Sequence, residues 1–122
     1  MISLIDSNIL IYSFLSEYQY LRETITNEFS CISEISRVEI LGFHGLKKDD
    51  EKYFLDIFDV ITIIAPSTEI FDCAIQIRKS HRLKLGDSII AATALVNGLT
   101  LYTRNASDFD KVTSLKCVNP IK

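Results

Sequence analysis

The chain has 122 residues, 48% of them hydrophobic and 24% charged, and a net charge of −3 at neutral pH. That length suits a single domain spanning residues 1–122, with roughly two-thirds of the unfolded chain's surface buried on folding. No apolar run approaches the ~20 residues of a membrane span, so no membrane partner is expected.

The start of the chain reads as a strand instead of a secretory leader, which makes the cytoplasm the expected location. Acidity argues at face value against a nucleic-acid partner. A divalent cation held among carboxylates would reverse the local field, so whole-chain charge does not decide the matter. Cys31, Cys73 and Cys117 are odd in number, scattered and without metal-ligand spacing, and they read as buried reduced thiols.

In chain order, Met1 to Ile5 predicts a short apolar strand that stops at Asp6-Ser7-Asn8. A helix follows with Ile9, Leu10, Ile11 and Phe14 inward, broken at Ser16, and a second helix over Tyr18 to Phe29 carries Leu21, Ile25 and Phe29. Cys31-Ile32 is a brief strand. Ser33 or Ser36 caps a helix bearing Ile35, Val38, Ile40, Leu41 and Phe43, which weakens at Gly42 and Gly45. Lys47 to Glu51 reads as a charged turn and Lys52 to Phe58 as a short helix. Val60 to Ile64 is a β-branched strand closed by Pro66. Thr68 to His81 is an amphipathic helix burying Ile70, Phe71, Ala74, Ile75 and Ile77.

The stretch from Leu83 to Phe109 organises the rest. Gly86-Asp87-Ser88 opens a run that is apolar almost all round, from Ile89 to Val96, and such a helix belongs inside a fold. Asn97-Gly98 ends it with a left-handed cap. Leu99 to Thr103 is a buried strand, a polar turn delivers Asp108 and Phe109, and Leu115 to Val118 is the last strand. Strands alternating with helices imply parallel β-α-β units and a three-layer α/β domain.

In that architecture Asp6 lies at the carboxyl edge of the sheet, where such folds bind ligands, and Asp87 and Asp108 face the same crevice. Each has a bland reading: Asp6 and Asp87 as helix caps, Asp108 and Asp110 as caps of a short turn. Glu39 stands four residues from both Ile35 and Phe43, on a partly apolar stripe of its helix. A buried unpaired carboxylate costs several kcal/mol, so Glu39 needs a cation, a raised pKa or an edge position open to water. Four acids from separate segments at one edge repel one another and call for something positive among them. Oxygen donors without His or Cys favour Mg²⁺, with Mn²⁺ a close substitute.

Asp6-Ser7-Asn8 after the first strand, Glu39 on a helix, Gly86 to Ala92, and Thr103-Arg104-Asn105 before Asp108-Phe109 together resemble the PIN-domain nucleases. The likeness is closest to the small VapC-like toxins of bacterial toxin-antitoxin pairs, and it covers nearly the whole chain. It implies a metal-dependent endoribonuclease with a parallel sheet of four or five strands. It also implies Asp6, Glu39 and Asp87 as the acidic centre, a cognate antitoxin lying over the active groove, and a homodimer. Asn105 stands where the family places an acid, and Asp108 follows three residues later; Asp108 ranks above Asn105 as the charged member, and Asp110 well below.

The expected reaction is hydrolysis of an RNA phosphodiester. Asp6, Asp87, Glu39 and Asp108 would ligate one or two Mg²⁺ ions, with Ser7, Asn8, Thr103 and Asn105 orienting ligands, water or phosphate. Arg82, Lys84 and Arg104 are the candidate RNA contacts, while Arg78 and Lys79 read equally as a solvated helix end. His44 and His81 are expected to face solvent and pair with no nucleophile. Two other classes compete: a non-catalytic PIN-like protein-binding module, and a phosphoacceptor receiver-type domain. The receiver reading lacks its late-strand Lys and its acidic pair beside Asp6.

Overall fold

The computed structural model describes residues 2–122, so Met1 of the expected first strand lies outside the described residues. Five strands, β1 (Ser3–Ile5), β2 (Ser30–Ser33), β3 (Thr62–Ile64), β4 (Thr100–Tyr102) and β5 (Cys117–Val118), form one parallel sheet in the order β3-β2-β1-β4-β5. The helices are α1 (Ser7–Phe14), α2 (Leu21–Thr26), α3 (Glu34–Leu41), α4 (Lys48–Val60), α5 (Thr68–Ser80), α6 (Leu85–Asn97) and α7 (Ala106–Phe109). None of them is long and apolar enough to cross a membrane.

Alternation along the strands sorts the core into two layers, as a pleated sheet covered on both faces requires. Leu4, Cys31, Ile64 and Leu101 pack with α5, α6 and Phe109, while Ile5, Ile32, Ile63 and Tyr102 pack with α1, α2 and α4. Residues 88–94 of α6 are all buried, as its apolar sequence predicts. Ala91, Ala92 and Ala94 are 0% exposed, small enough to let that helix lie close on the sheet and on α5. Gly98 closes it at φ 64°, the left-handed region expected of a C-terminal cap.

Several expected boundaries move. The charged stretch from Lys48 to Glu51 is the first turn of α4 instead of a separate turn, because Asp49, Asp50 and Glu51 favour the positive end of a helix dipole. Val60 ends that helix, 75% exposed, and leaves β3 to begin at Thr62. The helix expected over Tyr18 to Phe29 shrinks to α2, preceded by a 3₁₀ turn at Ser16–Tyr18, and Phe29 turns outward. Val38, Phe43, Phe71 and Ile75 are also exposed; their helices bury narrower stripes, centred on Ile40 and on Ile70, Ala74 and Ile77. Of the cysteines only Cys31 is fully buried, and all three are free thiols.

From β1 the chain steps outward through β2 to β3, then crosses to the other side of β1 for β4 and β5. The strand order therefore reverses between β1 and β4. A crevice opens at the carboxyl ends of two such strands because their connections leave in opposite directions.

Candidate active site

Asp6 directly follows β1 and caps α1, its Oδ1 accepting from the Ser7 backbone N–H at 2.8 Å. Its Oδ2 accepts from the Thr103 hydroxyl at 2.9 Å and from Asn8 Nδ2 at 3.3 Å. Asp6 is 4% exposed and Thr103, directly after β4, is fully buried. The capping role and an inward-facing carboxylate thus belong to the same side chain. Burial holds Asp6 above its ordinary carboxylate range and the charge of Asp87 adds to this, against the bonds from Thr103 and Ser7.

Ser7 joins Asp6 to the next acid, its hydroxyl donating to Glu39 Oε1 at 3.3 Å. Glu39 lies in the second turn of α3, which Ser33 caps through Ile35 N at 3.1 Å, leaving Ser36 inside the helix. Glu39 is exposed as a residue, but its carboxylate turns toward Ser7 and Gly86. A Cβ on Gly86 would stand 3.6 Å from Glu39 Oε2, an ordinary van der Waals contact. Partial burial raises the pKa of Glu39, with Asp6 and then Asp87 reinforcing the rise.

Asp87 is the third residue of α6. The N-cap of that helix is Lys84, so the capping reading of Asp87 does not hold. Its pKa is raised by burial and by Asp108, with Lys84 opposing. Asp108 is exposed on α7, its backbone N–H donating to Asn105 O at 2.9 Å. Asn105 is exposed as well, and its backbone N–H donates to the Thr103 hydroxyl oxygen at 3.1 Å. Asp110 follows α7, exposed, and its charge acts on Cys117 instead of on the acids of the crevice.

Of the candidate cations, Lys84 acts on Asp87 across the crevice mouth. Arg104 sits on its rim, its backbone N–H donating to Asn8 Oδ1 at 3.0 Å. Arg82 is exposed, and only its backbone carbonyl is engaged, by Lys111 at 3.5 Å. His44 stands in the turn after α3 beside the Phe43 ring, and His81 caps the C-terminus of α5; both lie apart from the acids described above. Burial pushes the Cys31 and Cys117 thiols up to about 11, which removes thiolate chemistry at neutral pH.

The donor set is chemically that of a hard divalent cation: oxygen only, with acids that repel one another. Among the described residues the salt bridges are Arg37–Glu34 and Lys52–Asp56, so none engages these acids. No three His, Cys, Asp or Glu side chains among the described residues gather closely enough to hold one ion together. Mg²⁺ keeps several waters and is commonly bound by one or two carboxylates, so the residues fit that ion through a pair of acids and water.

The family model for the PIN domain matches residues 3–115. The chain belongs to the PIN-domain family. As a structure, this PIN domain is similar to a chain of a toxin-antitoxin complex from Klebsiella pneumoniae, at 30% identity, with 98% of each chain covered and a TM-score of 0.79. It is similar also to a chain of VapBC2 from Rickettsia felis bound to a DNA fragment from their promoter, at 26% identity, 98% of each chain and a TM-score of 0.78. VapBC-1 from nontypeable Haemophilus influenzae shares the fold at 23% identity over 98% of each chain, with a TM-score of 0.75. These likenesses make the protein a VapC-like PIN domain. No curated protein matches significantly in sequence.

The site also contains a side chain that sequence reasoning did not single out. Tyr12 lies under the Arg104 guanidinium, 5.3 Å from ring centroid to Cζ. The spacing of Tyr12, four residues beyond Asn8 on one helix, was its available signal.

Proposed function

We propose that this PIN domain is a Mg²⁺-dependent endoribonuclease, with Mn²⁺ as a substitute ion, and the toxin of a toxin-antitoxin pair. The observation that carries the reading is the linked set Asp6, Glu39 and Asp87. Ser7 bonds to both Asp6 and Glu39, Glu39 Oε2 lies beside Gly86 next to Asp87, and all three acids have raised pKa values, though they are spaced too widely to close on one ion without water. Acids that repel one another without a paired base are an unfavourable arrangement unless a cation joins them.

The bound ion would supply Lewis acidity, lowering the pKa of water and offsetting charge on the phosphate. Asp6 and Asp87 would hold it directly, with Glu39 and Asp108 contributing through water. Thr103, Ser7 and Asn8 fix the Asp6 carboxylate in one orientation by donating hydrogen bonds to it. Lys84 and Arg104 would meet the phosphates on either side of the scissile bond.

An antitoxin partner is supported by the Klebsiella pneumoniae relative, which is described as a toxin-antitoxin complex, and by an apolar cleft that includes Glu39 in its walls. The cleft has a volume of 340 Å³ and includes Ile11, Phe14, Leu15, Phe43 and Phe54 in its walls. A partner segment seated there would lie beside the acids and block substrate. Exposed Val38, Phe71, Ile75 and Leu85 supply apolar surface for a homodimer.

The test uses purified protein and a panel of structured RNAs, with and without Mg²⁺, beside Asp6→Asn and Asp87→Asn. Metal-dependent cuts that vanish in both variants support the reading; RNA left intact under every condition removes it. The loose spacing of the acids favours one competitor, a non-catalytic binding module. Tight partner binding without cleavage would be its signature.

A further inference from the structure

A strip of tyrosines and cations runs away from the acid crevice, from Tyr12 on α1 through Tyr18 and Tyr20 beyond it to Lys122. It is joined to the crevice by Asn8, which contacts both Asp6 and Thr103 and accepts from the Arg104 backbone. The Arg104 guanidinium lies over the Tyr12 ring at 5.3 Å. Tyr12 meets Tyr18 edge-to-face at 4.9 Å, and Tyr18 meets Tyr20 at 6.2 Å. At the far end Lys122 Nζ stands 5.6 Å from the Tyr20 ring centroid, and the Lys122 backbone N–H donates to Tyr20 Oη at 2.9 Å. The tail that carries Lys122 is held by Asn119, which donates to Arg104 O at 3.5 Å and accepts from Ile121 N at 3.0 Å.

We propose that this strip is a single-stranded RNA track, on which nucleotides flanking the cleaved bond stack on Tyr20 and Tyr18 while Arg104 and Lys122 take their phosphates. The proposal rests on the endoribonuclease reading and adds where the substrate lies. A row of three tyrosine rings with a cation at each end suits sequence-tolerant binding of single strands, because every base has a face to stack and every linkage has a charge to neutralise. Tyr20 is 39% exposed, so part of its ring is reachable by a base. Continuity with Asn8 is the decisive feature. From Tyr12 the strip leads on to Asp6 through Arg104 and Asn8. An antitoxin segment would find its apolar seat in the Glu39 cleft instead, where the walls carry no cation.

The experiment measures binding of a fluorescein-labelled, unstructured 12-nucleotide RNA by anisotropy in EDTA, so that nothing is cut, and cleavage of the same RNA in Mg²⁺. Tyr20→Ala is expected to weaken binding about tenfold, in the range that loss of one base–aromatic stack produces. Tyr20→Phe, which keeps the ring, should restore it to within about twofold on the same stacking argument. Lys122→Gln and Arg104→Gln should each make the slope of log affinity against log salt shallower by about 0.7. Ultraviolet crosslinking should join the RNA to a peptide containing Tyr18 or Tyr20. All four variants change exposed side chains, and circular dichroism melts verify that they fold.

Wild-type cleavage and binding that are unchanged in Tyr20→Ala and Lys122→Gln would overturn the track while leaving the nuclease intact. RNA neither bound nor cut by the wild type would overturn both. Variants that lose affinity for a co-expressed protein partner, with RNA affinity unchanged, would reassign the strip to that partner.

Discussion

Thr103 donates its hydroxyl to Asp6 Oδ2 at 2.9 Å, joining two side chains that are 97 residues apart. The bond ties the end of β4 to the end of β1 at the point where the strand order reverses. Both side chains are buried, so no water stands ready to replace the donor. Thr103 Oγ1 is also the acceptor for Asn105 N at 3.1 Å. Thr103→Val keeps the shape and removes all of this. Urea unfolding at pH 7 should show a loss of about 1–3 kcal/mol, the usual cost of breaking a hydrogen bond to a buried charged group. Metal-dependent cleavage should fall with it.

The raised pKa values of Asp6, Glu39 and Asp87 set the sign of a pH effect on the metal-free protein. Their folded pKa values lie above the unfolded ones, near 3.8 for Asp and 4.5 for Glu, so the folded state binds protons more readily. The contribution of these groups to stability is therefore fully present below the unfolded values. It is lost as pH rises through the raised folded values. Thermal melts without metal should show this loss, and Asp87→Asn should reduce it.

Mg²⁺ should act in the opposite direction at pH 7. An ion that binds only the folded state adds about 1.4 kcal/mol at ten times its Kd. The shift in melting temperature should shrink toward pH 4, where the acids take up protons instead. It should disappear in Asp6→Asn, a change that keeps a good helix cap. An equal Mg²⁺ shift in wild type and Asp6→Asn would place the ion elsewhere.

Asp108 and Asn105 compete for the place of the fourth acid, and the charge of Asp108 is the one felt at Asp87. Asp108→Asn should weaken Mg²⁺ affinity by about tenfold, as loss of a supporting group around an ion does. Asn105→Ala, which removes an exposed side chain and keeps the backbone bond to Thr103, should leave it nearly unchanged. Isothermal titration of both variants separates the two.

Two glycines of α6 should respond oppositely to alanine. Gly98 has φ +64° with nothing within 4 Å of an added Cβ, so the cost of Gly98→Ala is purely backbone strain, about 1–2 kcal/mol. Gly86 is helical, and its added Cβ would make only an ordinary 3.6 Å contact with Glu39. Gly86→Ala should therefore stabilise the domain by about 0.5–1 kcal/mol. Chemical denaturation of the pair checks both signs.

The sequence by itself determined the layer order of this protein and the chain positions of its acids. Ile89 to Val96 is apolar on every side and can only be central, and Asp6 ends a strand whichever neighbours that strand acquires. Tertiary structure decided which residues of each helix are covered. Spacing says that Ile35, Val38 and Phe43, or Phe71 and Ile75, share parts of a helix surface; the width of the buried stripe depends on how neighbouring elements lie across it. It also decided that Lys84, not Asp87, caps α6, because a cap depends on the backbone angles at the turn and Gly86 permits more than one start. The strip from Arg104 through Tyr12 to Lys122 was beyond any sequence pattern. Its members come from opposite ends of the chain, and only the pairing of β4 with β1 brings them side by side.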